Sequence, residues 1–210
     1  MQLTQKENLN VAVIVLATLN PHKIVELNAL LSDVSVHVLS AHDAGFDEAI
    51  DETGATLEEN ALLKARAVAR ATNLPVIADD SGLEVDALNG TPGVYSARFA
   101  GPQCDAADNR RLLLKKLSGV EPARRTAQFR CVIAFVRGDI ERTFEGVCRG
   151  SILTEERGVQ GFGYDAVFLP EDKKQSLAEL SPEEKNKISH RAKAMELFKA
   201  QLQDLLTPNP

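Results

Sequence analysis

Two adjacent carboxylates follow directly on a short apolar run near the middle of the chain. Val76–Ala78 is apolar, Asp79 and Asp80 come next, and Ser81 and Gly82 follow them. The run is too short for a helix and indicates a buried strand. Buried parallel strands carry ligand-handling residues at their carboxyl ends, so we predict that the aspartates lie at such an end. Because neighbouring side chains of a strand point to opposite faces, only one aspartate should face any given site.

The chemistry that such carboxylates favour is the binding of a hard cation. Carboxylate oxygens suit Mg²⁺, which proteins usually hold through one or two carboxylates together with substrate phosphates. The alternative is a turn that merely ends the strand, since Asp, Ser and Gly are ordinary turn formers. Considered alone, the stretch favours the turn, and the other segments of the chain decide between the two.

The composition limits the class of protein. A length of 210 residues with 44% hydrophobic and 26% charged residues is typical of one globular domain, placed here over residues 1–210. A net charge of −6 argues against nucleic-acid and membrane-surface partners, which need a basic face. No apolar run approaches the roughly 20 residues of a membrane span. Cys104, Cys131 and Cys148 have no metal-type spacing and indicate reduced thiols in a cytoplasmic protein.

A second candidate site lies where an early apolar run meets a helix start. Val11–Ala17 is predicted as the first strand, and Asn20 followed by Pro21 is a good helix N-cap and first helical position. The free N–H groups and the positive end of the helix dipole make such a junction an anion site. Lys23 lies in the first turn, where helix dipoles disfavour cations. This placement favours a functional lysine over a solvated surface lysine.

The helix before the aspartates is predicted to carry polar side chains on one face. Thr56–Glu59 is a capping box that opens this helix. Thr56, Asn60 and Lys64 are four residues apart and therefore share a face. The acidic segment 40–54 that precedes the helix is of a kind that usually forms only a solvated surface.

The second half of the chain contains a hairpin and a glycine-rich loop. Residues 126–137 and 140–148 indicate antiparallel strands and hence a mixed sheet. The loop 158–165 carries two aromatics and is either a close approach of backbone to a flat ring or a loose surface turn. The earlier loop 89–101, with its aromatics and one arginine, is either the lip of a substrate site or plain turn chemistry.

A final helix is predicted from the capping box at Ser181. On an ideal helix, His190 and Arg191 point about 100° apart. One ligand can therefore contact both side chains only if it is wide or if the helix is broken there. Ser189 is suited to cap a second helix at that point.

Taken together, these segments resemble the non-canonical purine nucleoside triphosphate pyrophosphatases, the house-cleaning enzymes for inosine and xanthosine triphosphates. The matching motifs occur in the family's order and cover the chain from Val11 to the final helix. They are Thr18–Lys23, Glu52–Gly54, Glu59–Ala65, Ala78–Leu83, Pro92–Arg98, Gly161–Asp165 and Glu184–Arg191. One such motif alone would carry little weight, and it is the ordered set that supports the resemblance.

The resemblance implies an α/β fold with a long mixed central sheet, flanking helices and two lobes around a substrate cleft. It also implies a homodimer and the Mg²⁺-dependent cleavage of a nucleoside triphosphate to monophosphate and pyrophosphate. By motif match, Asp80 would be the catalytic proton acceptor and, with Glu52, a metal ligand. Lys64 would add positive charge for the phosphates. The other substrate-binding residues would be Thr18, Leu19, Asn20, Pro21, His22, Lys23, Ser81, Phe162, Gly163, Tyr164, Asp165, Lys185, His190 and Arg191.

Base selection is predicted from the same motifs. Donors from Ser189, His190 and Arg191 would pair with the 6-oxo group of inosine or xanthosine, with Phe162 stacked on the ring. Adenine presents a 6-amino donor instead and would leave these groups unpaired.

Two departures and two alternatives accompany the resemblance. Leu19 is found where the family commonly has a glycine or a small polar residue, and the polar lead-in before Val11 is longer than usual. The alternatives are a pyrophosphatase for other modified nucleotides and a nucleotide-binding module without turnover. Release of pyrophosphate and monophosphate separates both pyrophosphatases from the module.

Overall fold

One seven-stranded mixed sheet organises the fold. A computed structural model describes residues 11–207, and the predicted lead-in over residues 1–10 lies outside them. The strand order is β2-β1-β3-β5-β6-β7, and β4 pairs with β3 as well. The β1–β2 and β1–β3 pairs are parallel and the others are antiparallel. The strands are β1 Ala12–Leu16, β2 Val36–Ser40, β3 Val76–Val85, β4 Pro92–Gly93, β5 Thr126–Arg137, β6 Ile140–Ile152 and β7 Phe168–Pro170.

The helices begin where the sequence provides caps. Asn20 accepts hydrogen bonds from the backbone N–H groups of His22 and Lys23, and Thr56 makes both bonds of its capping box. The predicted final helix is split in two, and Ser189 caps the second part, which confirms the alternative of a second helix start. The helices are α1 Pro21–Leu31, α2 Leu57–Thr72, α3 Ala106–Lys116, α4 Pro182–Lys185 and α5 His190–Leu206.

The prediction that the aspartate pair ends a strand is wrong. Strand β3 continues for ten residues, through Asp79 and Asp80 to Val85, because β5 pairs with it along its whole length. The parallel neighbour β1 stops much earlier, at Leu16 opposite Ile77. The aspartates therefore lie beyond the carboxyl end of β1 although they are in the middle of β3. The ligand-binding position expected for a parallel sheet is kept, and it belongs to the neighbouring strand.

A gap in the sheet exposes this part of β3. Strand β4 pairs with β3 only at Leu83 and Glu84, and β1 pairs with it only at Val76 and Ile77. Since β5 covers the whole of the opposite edge, β1 and β4 share the remaining edge and leave the segment 79–82 uncovered between them. Side chains from other elements can therefore approach the aspartates.

Three apolar clusters form the core of the fold. One packs α1 and α5 on one face of the sheet, through residues such as Leu27, Phe135 and Phe198, and a second packs α2 on the other face. The third surrounds the far end of the β5–β6 hairpin and includes Leu113 and Phe168. The fold is thus the predicted mixed α/β sheet with flanking helices, and its main cavity is lined by residues of the second and third clusters. Among residues 11–207, no helix is both long and apolar enough to span a membrane.

Candidate active site

A cavity of about 590 Å³ opens at the gap in the sheet. It brings together the junction after β1, two residues of α2, the middle of β3, the glycine-rich loop and the start of α5. Of the residues predicted to contact the substrate, Pro21 and Ser189 are not part of its lining. The predicted residues that line it are Thr18, Leu19, Asn20, His22, Lys23, Glu52, Lys64, Asp80, Ser81, Phe162, Gly163, Tyr164, Asp165, Lys185, His190 and Arg191.

The first polar cluster in the cavity surrounds Asp80. Lys64 Nζ donates to Glu52 Oε1 at 2.6 Å and to Asp80 Oδ1 at 3.2 Å. Asn60 Nδ2 donates to the other oxygen of Asp80 at 3.2 Å. The predicted face of α2 is therefore present from Asn60 to Lys64, while Thr56 serves as the helix cap. Helix α2 fixes both oxygens of Asp80 from one side.

The pKa values of the two carboxyl groups in this cluster, Asp80 and Glu52, are shifted in opposite directions. Burial raises the pKa of Asp80 above its ordinary value, and Lys64 and Lys23 offset this only in part. Burial also raises the pKa of Glu52, but Lys64, Lys23 and Arg98 outweigh it and leave that pKa below its ordinary value. Two carboxyl groups whose environments separate their pKa values are suited to different roles. The more basic one, Asp80, is the candidate proton acceptor.

The donor chemistry of Asp80 and Glu52 fits a magnesium ion that also binds substrate. Both carboxylates line the cavity and already share one cation, the Lys64 ammonium. Within residues 11–207, no group of three or more His, Cys, Asp or Glu side chains is placed to hold a metal ion. One or two carboxylates with substrate phosphates are the usual ligands of Mg²⁺. The residues present therefore fit an ion that arrives with its nucleotide.

Asp79 points to the opposite face of β3, as the alternation of strand side chains predicts. Its Oδ2 atom accepts hydrogen bonds from Arg191 Nε at 3.1 Å and Nη2 at 2.9 Å, and Lys23 Nζ lies 3.1 Å away. Burial raises the pKa of Asp79, but Lys23, Arg191 and Lys64 outweigh it and hold the pKa far below its ordinary value. One buried carboxylate thus positions the lysine at the start of α1 and the arginine at the start of α5.

A second polar cluster of the cavity lies beside Phe162. Lys185 Nζ donates to Glu26 Oε1 at 2.7 Å and to Asp165 Oδ2 at 2.6 Å. The same oxygen of Asp165 accepts the backbone N–H of Phe162 at 2.9 Å. The Lys185 ammonium lies 4.8 Å from the centre of the Phe162 ring, and the Arg191 guanidinium carbon lies 5.8 Å from it. A flat aromatic surface and two cations therefore occupy one region.

Arg191 is more deeply embedded than its motif suggested. It is only 1% exposed, and its guanidinium binds Glu26 and Ser81 in addition to Asp79. Truncating one partner of a buried ion pair typically costs about 3–5 kcal/mol, because the other charge is left without compensation. Arg191 therefore orders the site in addition to lining it, so a loss of activity on its removal would not by itself assign it a contact with substrate.

His190 is a neutral imidazole that stacks on Phe129. The ring centres are 4.7 Å apart and the planes differ by 10°. Burial, together with Arg191 and Lys185, lowers the pKa of His190 well below its ordinary value. Among the residues that the structure describes, no hydrogen-bond partner reaches its Nδ1 atom. His190 lines the cavity, and its Nδ1 is a buried polar atom without a protein partner in the described part of the chain.

The neutral state of His190 predicts a pH dependence of stability. Its folded pKa is lowered, so its contribution to the free energy of unfolding is complete above the unfolded pKa of about 6.5 and is lost as pH falls below that value. The loss approaches about 1.4 kcal/mol per pH unit. We expect urea unfolding at pH 7 and pH 5 to show a larger decrease for wild type than for His190→Phe, which keeps a ring on Phe129. Equal decreases in the two proteins would contradict this.

The loop 89–101 forms one wall of the cavity, which favours the substrate lip over a plain turn. Ser96 and Ala97 line the cavity, and Arg98 Nη1 lies 3.8 Å from Glu52 Oε2. The hydroxyl of Tyr164 donates to the backbone oxygen of Ser96 at 2.8 Å, which ties this loop to the glycine-rich loop. The two loops therefore close the cavity together.

Comparison with known proteins agrees with the order of the motifs. The model of the Ham1 family matches residues 14–201. The chain belongs to the Ham1 family. It is 50% identical over 182 residues to the dITP/XTP pyrophosphatase of Bacillus subtilis, covering 86% of this chain and 92% of the relative. It is 51% identical over 182 residues to that of Thermoanaerobacter pseudethanolicus, covering 87% and 92%.

Solved Ham1 structures have the same fold. The Ham1 protein of Staphylococcus aureus superposes with a TM-score of 0.82 at 43% identity, over 91% of this chain and 98% of that one. A HAM1 protein from Coxiella burnetii gives a TM-score of 0.84 at 40% identity, over 92% and 100%. The Ham1 likeness thus extends over nearly the whole of each chain.

Some residues that line the cavity, or that bind residues lining it, were not among the predicted ones. Glu26 carries no motif, yet it binds both Lys185 and Arg191. Its signal in the sequence is its position one turn after His22 on the same helix face. The apolar lining residues had no signal, because isolated hydrophobic residues in loops and strands look like core. They include Phe46, Ile50 and Phe129.

Proposed function

We propose that this protein hydrolyses non-canonical purine nucleoside triphosphates, namely dITP, ITP and XTP, to the monophosphate and pyrophosphate. The observation that carries the proposal is the arrangement of one cavity. A carboxyl group of raised pKa lies with two lysines in one part of it, and an aromatic ring with two cations lies in another. This arrangement suits a ligand with phosphates at one end and a flat ring at the other. Relatives at about 50% identity are dITP/XTP pyrophosphatases, which supports the same substrates here.

The phosphate end supplies charge and a proton acceptor. Lys23 and Lys64 provide positive charge for the triphosphate, and the start of α1 adds the positive end of a helix dipole. Asp80 takes the proton of the water that attacks the α-phosphorus, for which its raised pKa is suited. Mg²⁺, held by Asp80 and Glu52, would neutralise charge on the phosphate oxygens.

The base end supplies stacking and hydrogen-bond donors. Phe162 offers its ring to the purine, and Lys185 and Arg191 place donors near that ring. His190 adds an imidazole nitrogen that is free of protein partners in the described part of the chain. Ser189, predicted as a further donor, accepts the backbone N–H of Ala192 as the cap of α5. The cations at this end favour the 6-oxo purines.

The reaction is tested by the products and by the site of attack. With ITP and Mg²⁺ in ¹⁸O-labelled water, we expect inosine monophosphate and pyrophosphate, with the label in the monophosphate, because attack is at the α-phosphorus. A chelator should abolish turnover, and added Mg²⁺ should restore it. Release of orthophosphate would contradict the proposal. Binding of ITP without any product would instead favour the nucleotide-binding module without turnover.

Assembly and location follow as further parts of the proposal. We infer a homodimer from the family resemblance, and light scattering on the purified protein gives its mass. A reducing compartment such as the cytoplasm is supported by the free thiols of Cys104, Cys131 and Cys148, two of which are buried.

A further inference from the structure

His22 has an unexpected position for a residue of the phosphate-binding junction. Its imidazole stacks on Phe162, with ring centres 5.1 Å apart and planes that differ by 12°. Both side chains line the same cavity. Its backbone N–H donates to Asn20 Oδ1 at 3.0 Å and is therefore already used within the helix cap. The side chain of His22 thus faces the part of the cavity that we assign to the purine.

The stack is fixed by a buried charged bridge one helical turn away. Glu26 follows His22 by four residues and lies on the same face of α1. It binds Lys185 of α4 and Arg191 of α5. Lys185 in turn binds Asp165, which holds the backbone of Phe162. Helix α1 is therefore anchored beside the glycine-rich loop, and this anchor brings the two rings together.

The distance between the rings leaves no room for a base between them. Non-bonded carbon layers lie roughly 3.5–4.0 Å apart, so a third ring inserted between two others needs a separation of roughly 7 Å. The observed 5.1 Å between ring centres is that of a direct pair. A purine that stacks on the same face of Phe162 must take the place of the imidazole.

We propose that His22 covers the stacking surface of Phe162 in the free enzyme and competes with the purine for it. This inference rests on the proposed function and adds a residue that sets the affinity for the base. An aromatic pair changes an equilibrium constant by a factor of roughly 2 to 10 beyond the effect of buried area. A purine that displaces the imidazole loses this stabilisation, so its affinity is lower by the same factor. His22 therefore weakens the binding of every ring that stacks on Phe162, while the phosphate end is unaffected.

The test compares ligands that reach different ends of the cavity. In His22→Ala we expect the KM for ITP and the Kd for inosine monophosphate to fall by roughly 2- to 10-fold, with no change in inhibition by inorganic pyrophosphate. His22→Phe keeps an aromatic partner on Phe162 and should show no such gain. Val25→Ala, at an exposed position of α1, is the matched control and should resemble wild type. Thermal unfolding checks that each variant is folded.

The other outcomes overturn the inference in separate ways. If His22 binds phosphate, alanine raises the KM and weakens inhibition by pyrophosphate. If the imidazole stacks on the bound base, alanine raises the Kd for inosine monophosphate and leaves pyrophosphate unchanged. Unchanged constants in His22→Ala also refute it. If wild type neither turns over ITP nor binds inosine monophosphate, the proposed function fails and this inference with it.

Discussion

Asp80→Asn is expected to lower kcat for ITP by about 10²–10⁴-fold, the usual cost of losing a general base. The amide cannot take a proton from water at neutral pH, and it is also a poorer ligand for Mg²⁺ than a carboxylate. The loss should therefore fall on turnover. Binding of ITP should persist, because Lys23 and the Phe162 region are untouched.

The same variant has little reason to unfold the protein. Burial disfavours the charged form of Asp80, as its raised pKa shows, so a neutral isostere removes a desolvation cost along with the contact to Lys64. Lys64 keeps its bond to Glu52. Initial rates with ITP and Mg²⁺ measure turnover, equilibrium dialysis measures the binding of ITP, and thermal unfolding measures stability. Asp139→Asn, at the exposed turn of the hairpin, is the control. Near wild-type turnover in Asp80→Asn would remove Asp80 from the mechanism.

Features that depend on neighbouring residues could be predicted from the sequence. The cap at Asn20, the capping box at Thr56 and the hairpin turn at residues 138–139 all formed as expected. Each depends on hydrogen bonds or backbone preferences within a few positions. The motif residues could be predicted for a different reason, since a whole ordered set of segments resembled one family.

Features that depend on distant partners could not be predicted in the same way. The length of β3 is set by β5, about fifty residues later, and no local signal showed that the strand passes through Asp79 and Asp80. Arg191 is buried where it binds Asp79, which is 112 positions away in the sequence. The stack of His22 on Phe162 likewise joins helix α1 to the glycine-rich loop, far apart in the sequence. Sequence patterns gave the residue types of the site, and tertiary packing decided which of them meet.

Selection of the base is the second large effect that we expect. If the base stacks on Phe162 as proposed, inosine presents a 6-oxo acceptor toward Lys185 and Arg191, which are cationic donors near that ring. Adenine presents a 6-amino donor there, and the buried cations gain no partner from it. A site built to pair with a polar group rejects the analogue that lacks it by about 10⁴–10⁵, far more than shape achieves. We therefore expect kcat/KM for dITP to exceed that for dATP by about 10⁴.

A change at Lys185 would show which residues produce this selection. Lys185→Met keeps the apolar stem and removes the donor, and we expect it to reduce the preference for dITP. Because Lys185 is buried between Glu26 and Asp165, the free energy of unfolding of the Lys185→Met protein must be measured together with its kinetics. Arg191→Ala is less informative, since it leaves the buried carboxylate of Asp79 without its arginine.

The ratio of kcat/KM for dITP to that for dATP in the wild-type protein, with pyrophosphate release as the signal, tests the central claim most directly. It reports the chemistry at Asp80 and the selection at the base end in one experiment. A preference for dITP of about 10⁴, with monophosphate and pyrophosphate as the products, is the result predicted. Equal hydrolysis of the two nucleotides would contradict a role in removing non-canonical purines.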